Sequence, residues 1–411
     1  MLIHVGGAAL VLVLAHQAWG QGTAPDRAAD REPRSLDIAI NHVGISIGNS
    51  RRHTGLRVNW RDDGIIRVSG INVTLWAPGS SPRGEVNGIS AGVVAPGAAR
   101  LGGIVVGGLG IRADDRLTGI GLAGLAILSH GPVGGLSAAG LAVVADSAIS
   151  GVTLGPLAVV SRGAITGIVV GGASVLASGG VRGLALGGLA TVAQRQFEGV
   201  GLSGLALVTE GHLSGAAVAG LGVASRGDVT GLAVAGLATF ASGHLQGAQA
   251  GGLAVIGESG IIGVTAAGAA VLSSGAVHGV TLAGGAVMAG DDIRGVTIGG
   301  LGIVADAGIR WIAISAGTLV SRGDAVGLLT GLYRVRSPVI SGIALSALET
   351  RAISLRGVAV GAYNHIAEQR GVSIGLYNDA RRLNGLQIGV INRARNNSRG
   401  ARLLPLINAH F

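Results

Sequence analysis

The chain has 411 residues, of which 77 are glycine and 2% are aromatic, and its formal net charge is +9. It contains neither cysteine nor lysine, which excludes disulfides, thiolate metal sites and a Gly-x-x-x-x-Gly-Lys-Ser/Thr phosphate loop. The scarcity of aromatic side chains also argues against nucleic acid as a partner, because unpaired bases bind by stacking on them.

The first predicted element is a secretory signal peptide over residues 1–20. An apolar stretch from Val5 to Ala15 precedes Ala18-Trp19-Gly20, whose small-x-small pattern predicts cleavage after Gly20. An anchor that is never cleaved is the alternative. Residues 21–35 are polar and contain proline, so we expect a disordered linker there. After the signal, we expect no transmembrane helix, because no span of about twenty residues is strongly apolar.

The next predicted region, residues 36–102, forms an N-terminal cap and irregular coils. Glycines open its units at uneven spacings, at Gly55, Gly70 and Gly88. The apolar segment 36–40 is our candidate for a capping strand, because the open edge of a stack must be covered against aggregation.

Residues 103–310 form a regular block with a constant period of sixteen residues. In nearly every unit a second glycine follows the leading one after five residues, and an apolar residue always follows it after fourteen. Repeats of this kind indicate a stacked array, in which each unit buries its apolar face against its neighbours. The leading glycines, which we predict to be structural, are Gly103, Gly119, Gly135, Gly151, Gly167, Gly183, Gly199, Gly215, Gly231, Gly247, Gly263, Gly279 and Gly295.

The repeat predicts strands rather than helices. Sixteen residues are too few for two packed helices, and a glycine in a helix interior costs roughly 1 kcal/mol relative to alanine. Short strands of Val, Ile, Leu and Thr between glycine corners fit the unit. The sequence therefore predicts an all-β fold, a β-solenoid of about 23 short coils, which at about 4.8 Å per strand would be on the order of 110 Å long.

The last predicted region, residues 311–411, contains looser basic coils and a C-terminal cap. Trp311 stands where the next leading glycine is expected. Twelve arginines against four acidic residues predict a surface for anionic envelope groups such as lipid phosphates, and a solvated end is the alternative. Asparagines close the last units, and in a stack they would hydrogen-bond from coil to coil. They are Asn364, Asn378, Asn392 and Asn408.

These last units carry a family resemblance. They read GVAVGAYN (357–364), GVSIGLYN (371–378) and GLQIGVIN (385–392). They resemble the bacterial surface-repeat proteins, whose repeats read Gly-φ-Gln-φ-Gly-φ-φ-Asn, where φ is apolar. The third unit matches that pattern in full, and the other two differ at the glutamine. The resemblance covers residues 357–411 and implies an envelope-associated or surface-exposed protein, with no catalytic residues to carry over.

One constellation in the regular block suggests a metal site. His212, Asp228 and His244 each stand thirteen residues after a leading glycine, so stacking would place their Cα atoms about 4.8 Å apart. Two imidazoles and a carboxylate suit a divalent ion such as Zn²⁺. Solvated corner residues are the alternative. The carboxylate doublets at residues 62–63 and 291–292 are expected to face solvent at turns.

These patterns favour an exported structural or adhesive repeat protein of the bacterial cell envelope. We expect a rigid scaffold for surface interactions, without catalytic activity or cofactor, at the cell surface, in the outer membrane or in the periplasm. An outer-membrane β-barrel is one alternative, since such proteins often end in an aromatic residue such as Phe411. A solenoid enzyme acting on polysaccharide is another, and it would need opposed carboxylates at a cleft.

Overall fold

The computed structural model describes residues 35–79 and 82–411. The predicted signal peptide and the predicted linker up to residue 34 lie outside the described residues. The chain divides into two compact units, one that ends at Pro156 and one that begins at Leu157. This division falls inside the regular sixteen-residue block.

The first unit has eleven strands in its described part. They are β1 (Ser35–Ile40), β2 (Val43–Gly48), β3 (Arg52–Asn59), β4 (Arg67–Thr74), β5 (Glu85–Gly92), β6 (Gly97–Gly107), β7 (Gly110–Ala123), β8 (Ala126–Ser129), β9 (Val133–Ala139), β10 (Ala142–Ala145) and β11 (Ile149–Gly155).

The second unit continues the alternation of a longer and a four-residue strand as far as β33. A 3₁₀ turn at Arg399–Ala401 precedes its last strand, and among the described residues no helix is long and apolar enough to span a bilayer. The strands are β12 (Ala158–Ser161), β13 (Ile165–Gly171), β14 (Ser174–Ala177), β15 (Val181–Gly187), β16 (Ala190–Ala193), β17 (Phe197–Ser203), β18 (Ala206–Thr209), β19 (Leu213–Ala219), β20 (Gly222–Ser225), β21 (Val229–Ala235), β22 (Ala238–Ala241), β23 (His244–Gly251), β24 (Ala254–Gly257), β25 (Gly260–Ala267), β26 (Ala270–Ser273), β27 (Ala276–Ala283), β28 (Ala286–Ala289), β29 (Ile293–Gly299), β30 (Gly302–Ala305), β31 (Ile309–Ser315), β32 (Thr318–Ser321), β33 (Ala325–Gly331), β34 (Arg334–Leu345), β35 (Glu349–Val360), β36 (Tyr363–Ala394) and β37 (Leu403–His410).

In the regular block, strands of both units pair in parallel with their counterparts one repeat away. In the first unit, β11 pairs with β9 so that Gly151 lies opposite Gly135. In the second unit, β15 pairs with β13 so that Gly183 lies opposite Gly167. Each repeat is therefore one coil that stacks on the next in constant register. The all-β solenoid predicted from the repeat is confirmed.

Two columns of glycine form tight corners. All thirteen leading glycines of the regular block have positive φ, a conformation that disfavours residues with a Cβ. At Gly135, where φ is 100°, an added Cβ would lie 2.1 Å from the carbonyl oxygen of Gly119. At Gly204, in the second column, it would lie 1.9 Å from the carbonyl oxygen of Gly188. Close approach of successive coils therefore requires glycine at these corners.

Trp311 takes a place in the leading column without being glycine. Its strand β31 pairs in register with β29, which places Trp311 opposite Gly295. Its φ is 94°, so the tryptophan keeps the left-handed backbone that its glycine neighbours adopt easily. Its side chain is 70% exposed. The regular stacking of the backbone thus holds Trp311 at a positive φ, which a residue with a Cβ ordinarily avoids.

Inward-facing columns form the core of each unit. Fourteen residues after each leading glycine of the regular block the side chain is buried. In one coil this column holds Phe197, and the coil makes room with Gly201, where an added Cβ would lie 2.7 Å from the phenylalanine ring. Large and small residues therefore alternate within a coil to fill its narrow interior. The column comprises Leu117, Val133, Ile149, Ile165, Val181, Phe197, Leu213, Val229, Leu245, Ile261, Val277, Ile293 and Ile309.

Leucines line one outer corner of the second unit. On five consecutive coils a leucine follows the second glycine column, and each is 45–55% exposed. Their backbones stack directly, since the N–H of Leu205 donates to the carbonyl oxygen of Leu189 at 2.8 Å and the bond recurs on each following coil. The first unit exposes Leu109, Leu125 and Leu141 at the equivalent position. We call the row in the second unit the leucine ridge. It comprises Leu189, Leu205, Leu221, Leu237 and Leu253.

An antiparallel strand lies at the N-terminal end of the described part of the first unit, and another lies at the C-terminal end of the second unit. In the first unit β1 pairs antiparallel with β2, and Ser35 lies opposite Gly48, whereas β2 and β3 are parallel. In the second unit β37 pairs antiparallel with β36, and Gly385 lies opposite His410. Strand β1 contains the segment 36–40 that we expected to form a cap. The reversed directions of β1 and β37 end the series of parallel strand pairs.

Candidate functional site

The polar corner of the second unit holds His212, Asp228 and His244 on consecutive coils. His212 and Asp228 directly precede β19 and β21, and His244 begins β23. The backbone N–H of Asp228 donates to Nδ1 of His212 at 3.2 Å, and that of His244 donates to Oδ1 of Asp228 at 2.8 Å. Nδ1 of each imidazole lies 3.5 Å from an oxygen of the carboxylate. The three side chains thus form a row with the carboxylate in the middle.

This arrangement favours the charged form of the carboxylate. The hydrogen bond from the backbone of His244 holds the pKa of Asp228 below its ordinary value, and the two neighbouring imidazoles act in the same direction. All three side chains are at least 40% exposed. Nδ1 of His212 accepts the hydrogen bond from the backbone of Asp228, and Nδ1 of His244 faces the carboxylate of Asp228, so the row links three coils.

The zinc hypothesis for this row stays a prediction. In the part of the chain that the structure describes, no group of three or more His, Asp or Glu side chains is arranged to hold a metal ion. Hydrogen bonds from the backbone of each coil to the side chain on the preceding coil account for the observed contacts in this row.

A second polar corner lies at Asp292. Its carboxylate contacts the side chains of His278, at 3.0 Å, and Arg294. Burial opposes ionisation here, but the hydrogen bonds from His278 and Arg294 outweigh it, and the pKa of Asp292 is lowered. The expectation that this carboxylate faces solvent is wrong, because its side chain is only 13% exposed. Asp291 beside it is exposed.

The first coils bury a charged network that the sequence analysis did not find. Arg57 and Asp62 are buried and form an ion pair at 2.8 Å. Asn72 accepts a hydrogen bond from Arg57 at 2.7 Å and donates to Asp62 at 3.1 Å, and Asn59 donates to Asp62 at 2.9 Å. The solvent-facing position expected for Asp62 is therefore wrong, whereas the neighbouring Asp63 is 45% exposed.

A signal for this network exists in the sequence. Gly44 pairs with Gly55 and so extends the leading column by one coil. Polar residues stand two positions after each of the four glycines of this region, at Ser46, Arg57, Asn72 and Ser90, and all four are buried. The same position is apolar or small in much of the regular block. Because the first coils have unequal lengths, the polar column is not visible as a period.

The C-terminal coils bury a ladder of asparagines. The side-chain amide of Asn364 donates to Oδ1 of Asn378 at 2.7 Å, and that of Asn378 donates to Oδ1 of Asn392 at 2.7 Å. Asn408 lies on the antiparallel strand β37 and accepts a hydrogen bond from Asn397 at 2.8 Å. Three of the four asparagines predicted to be structural thus form one ladder through their side chains, and the amide of Asn408 joins its end by donating to the backbone carbonyl oxygen of Asn392 at 3.3 Å.

Acidic residues of the C-terminal coils are shared between arginines. Glu349 lies 2.6 Å from Arg334 and 2.7 Å from Arg351. Asp379 lies 2.8 Å from Arg395 and 3.9 Å from Arg393. These two carboxylates are each held by two guanidinium groups, whereas Glu368 pairs with Arg382 alone, and arginines outnumber acidic residues over the whole region.

A shallow polar depression lies on the second unit. It has a volume of about 550 Å³, and its lining includes Arg162, Gln194, Arg195 and Glu210. Glu210 also pairs with Arg226 across adjacent coils at 3.6 Å. The depression belongs to the same polar corner as the histidine row, so charged groups recur along this edge at the spacing of the coils.

Comparison with known proteins finds no match to this chain among family models, curated proteins or solved structures.

Proposed function

We propose that the protein is an exported structural repeat protein of the bacterial cell envelope, a scaffold for surface interactions. The observation that carries this proposal is the constant register of the coils, which repeats the same backbone path at each step. A partner that binds along the stack therefore meets a regular surface whose side chains are one strand spacing apart, as it does on other solenoids. In this proposal the polar corner and the asparagine ladder stabilise the stack, and no residue has a catalytic role.

The C-terminal coils supply the proposed contact with the envelope. Arg356 and Arg370 are exposed and lie opposite each other on paired strands β35 and β36. Two guanidinium groups one strand apart repel each other and attract anions such as lipid phosphates. The resemblance of residues 357–411 to bacterial surface-repeat proteins supports the same location.

Cell fractionation tests the proposed location. The full chain, with a C-terminal epitope tag, is produced in a Gram-negative bacterium, and the fractions are probed for the tag. We expect the tag in the periplasmic or outer-membrane fraction, and mass spectrometry is expected to find an N-terminus at Gln21. The matched control replaces Leu12 and Leu14 with arginine, which destroys the apolar stretch and should leave the chain in the cytoplasm.

Protease added to intact cells then separates the cell surface from the periplasm. Loss of the tag without lysis indicates surface exposure, and loss only after permeabilisation indicates the periplasm. If the wild-type chain stayed uncleaved in the cytoplasm, in the same amount as the control variant, the proposed export would be contradicted.

A further inference from the structure

Trp311 interrupts a leading column that holds glycine in all the other coils from Gly103 to Gly385. At its φ of 94° a residue with a Cβ is strained, and the strain costs folding free energy. The side chain is 70% exposed, so packing inside the stack explains little of its presence. Backbone strain that packing does not offset is typical of binding sites. The indole therefore points to a contact outside the chain.

A column of exposed arginines runs beside this corner. Arg294 lies opposite Arg310 on paired strands β29 and β31, and Arg356 lies opposite Arg370 on β35 and β36. The register from Arg310 to Arg356 is unbroken over three strand steps, which is about 14 Å along the stack. Arg294 pairs with Asp292, but the other three make no ion pair with any described residue. Their positive charge is therefore available to an anionic partner.

Apolar residues flank the same corner on its other side. Ile312, Leu328 and Ile343 lie in register on β31, β33 and β34. The first two are half-buried, and Ile343 is 44% exposed. Guanidinium groups, one indole and apolar side chains thus occupy three adjacent columns, and we call this surface the Trp311 corner.

We propose that the Trp311 corner docks on the surface of an anionic lipid bilayer, with the indole in the interfacial layer and the arginines on lipid phosphates. An indole has an apolar body and one N–H donor, which suits the layer between headgroups and acyl chains. A guanidinium group can bind a phosphate through two parallel hydrogen bonds. The inference deepens the proposed function and rests on the contact proposed there between the C-terminal coils and envelope anions.

A bilayer fits this corner better than a soluble polyanion or a second copy of the chain. A free phosphate or a sulfated glycan would engage the arginines but supply few apolar groups for the indole. A second copy would present the same arginines, and like charges facing each other across an interface repel. The membrane interface offers anionic groups and apolar chains in adjacent layers, which matches the adjacent columns of the corner.

The central coils of the same unit lack these features at the equivalent corner. From Gly199 to Gly247 the leading position carries no side chain. The preceding column includes Glu198, Ser214 and Thr230, which lie in register and bring no arginine. Contact with an anionic bilayer is therefore expected at the Trp311 corner rather than along the central coils.

Quenching of tryptophan fluorescence by brominated lipids tests the proposal on the purified full chain. One set of vesicles contains brominated phosphatidylcholine alone, and the other also contains phosphatidylglycerol. The second set should quench part of the wild-type fluorescence, and Trp311→Gly, which keeps Trp60 and Trp76, should lose that part. Sedimentation with the same vesicles should show roughly ten-fold weaker binding of Trp311→Gly, because a large apolar side chain is no longer buried in the interface.

Trp311→Gly restores the usual residue of its column and is expected to fold. Glycine adopts a φ of 94° without strain, so urea unfolding should show a midpoint at least as high as that of the wild type. The matched control is Leu301→Ala, which removes a 76% exposed apolar side chain from another corner of the preceding coil. It should leave quenching and vesicle binding unchanged. Binding through residues 1–34 is common to all three proteins.

Equal quenching of the wild type and Trp311→Gly overturns the inference. A lower unfolding midpoint of Trp311→Gly also overturns it, because the indole would then serve the stack itself. If Trp311→Gly lost as much affinity for soluble dextran sulfate as for vesicles, the partner would be a soluble polyanion instead of a bilayer. Binding that does not depend on phosphatidylglycerol would contradict both this inference and the envelope contact on which it rests, whereas charge-dependent binding without a role for Trp311 overturns the inference alone.

Discussion

The central and the C-terminal coils of the second unit have the same backbone path, but the interior of the central coils is mainly apolar and that of the C-terminal coils is polar. In the central coils, the position eight residues after the leading glycine is buried and mostly apolar, as at Val271 and Val287, although Thr191 and Thr239 occupy it in two coils. Further along the same column Val335 pairs with Thr350, and Thr350 pairs with Asn364. The column thus changes from valine through threonine to asparagine without a change of register. Backbone stacking, rather than interior hydrophobicity, sets the path of the coil.

The polar interior accompanies a shorter coil. Leading glycines are sixteen residues apart in the central block but fourteen apart from Gly357 to Gly371. The amide of Asn364 donates to the backbone carbonyl oxygens of Gly361 at 3.1 Å and Ile374 at 3.0 Å. Valine has no donor for these carbonyls. The comparison teaches that a side-chain amide can complete a tight corner that has fewer backbone residues.

The largest expected effect comes from the glycine corners that both regions share. Gly204→Val should lower the free energy of unfolding by at least about 3 kcal/mol, because its Cβ meets the carbonyl oxygen of Gly188. The matched control is Gly222→Ala, where an added Cβ would lie 3.7 Å from the carbonyl oxygen of Ala238. Urea unfolding followed by circular dichroism should show a lower midpoint for Gly204→Val alone. Equal midpoints would mean that the second glycine column is not needed for stacking.

The next largest effect is expected in the polar interior of the C-terminal coils and tests the asparagine ladder. Asn378→Leu removes the acceptor of one ladder bond and the donor of the next, and it deprives Oδ1 of Asn392 and the carbonyl oxygen of Ile388 of the donor that Asn378 supplies, which should cost about 3 kcal/mol. Hydrogen exchange of peptides from residues 357–394 should report the lost protection. Leu376→Ala in the same coil is the control, because Leu376 is exposed and its loss should change little. If Asn378→Leu kept wild-type protection, the ladder would not be the reason for the polar interior.

The repeat made most of the fold predictable, because a constant period fixes which residues stack on one another. The buried column that includes Phe197 and the parallel register both follow from the glycine spacing. The network of Arg57 and Asp62 was missed because the first coils have unequal lengths. Asp292 was misplaced because sequence neighbours at a turn can point to opposite sides, and only one of the doublet reaches His278. The leucine ridge could not be predicted, because an apolar residue at a fixed position of the repeat can face either the interior or solvent.

A smaller effect is expected at Asp292 in the central coils. Its contribution to stability should depend on pH, whereas that of the uncharged asparagine ladder should not. The folded pKa of Asp292 lies below its unfolded value, so its stabilisation is present above the unfolded pKa and is lost as pH falls through the folded pKa. Asp292→Asn should cost about 1 kcal/mol at neutral pH, and this difference from the wild type should shrink on acidification. Denaturation at several pH values measures it. Asp291→Asn is the matched control, and an equal pH dependence of the two variants would argue against the ion pairs at Asp292.

The smallest expected effect concerns the basic surface of the C-terminal coils. Arg356→Glu should place a carboxylate opposite Arg370 and stabilise the chain by about 0.5 kcal/mol, because it replaces a like-charge pair. The same variant should bind vesicles rich in phosphatidylglycerol less tightly than the wild type. Thermal unfolding and vesicle sedimentation measure the two outcomes. Unchanged vesicle binding would remove these arginines from the proposed contact with anionic groups.

The constant register of the central coils also bears on how such a gene can change. Gly183, Gly199 and Gly215 lie opposite one another on successive strands of the second unit. If recombination deletes the coding sequence of one whole repeat, Gly215 takes the place of Gly199 above Gly183, and the same hydrogen bonds form. Duplication of a repeat adds a coil in the same way. Repeat number is therefore a trait that unequal crossing-over can alter in a single step, without any new contact having to evolve.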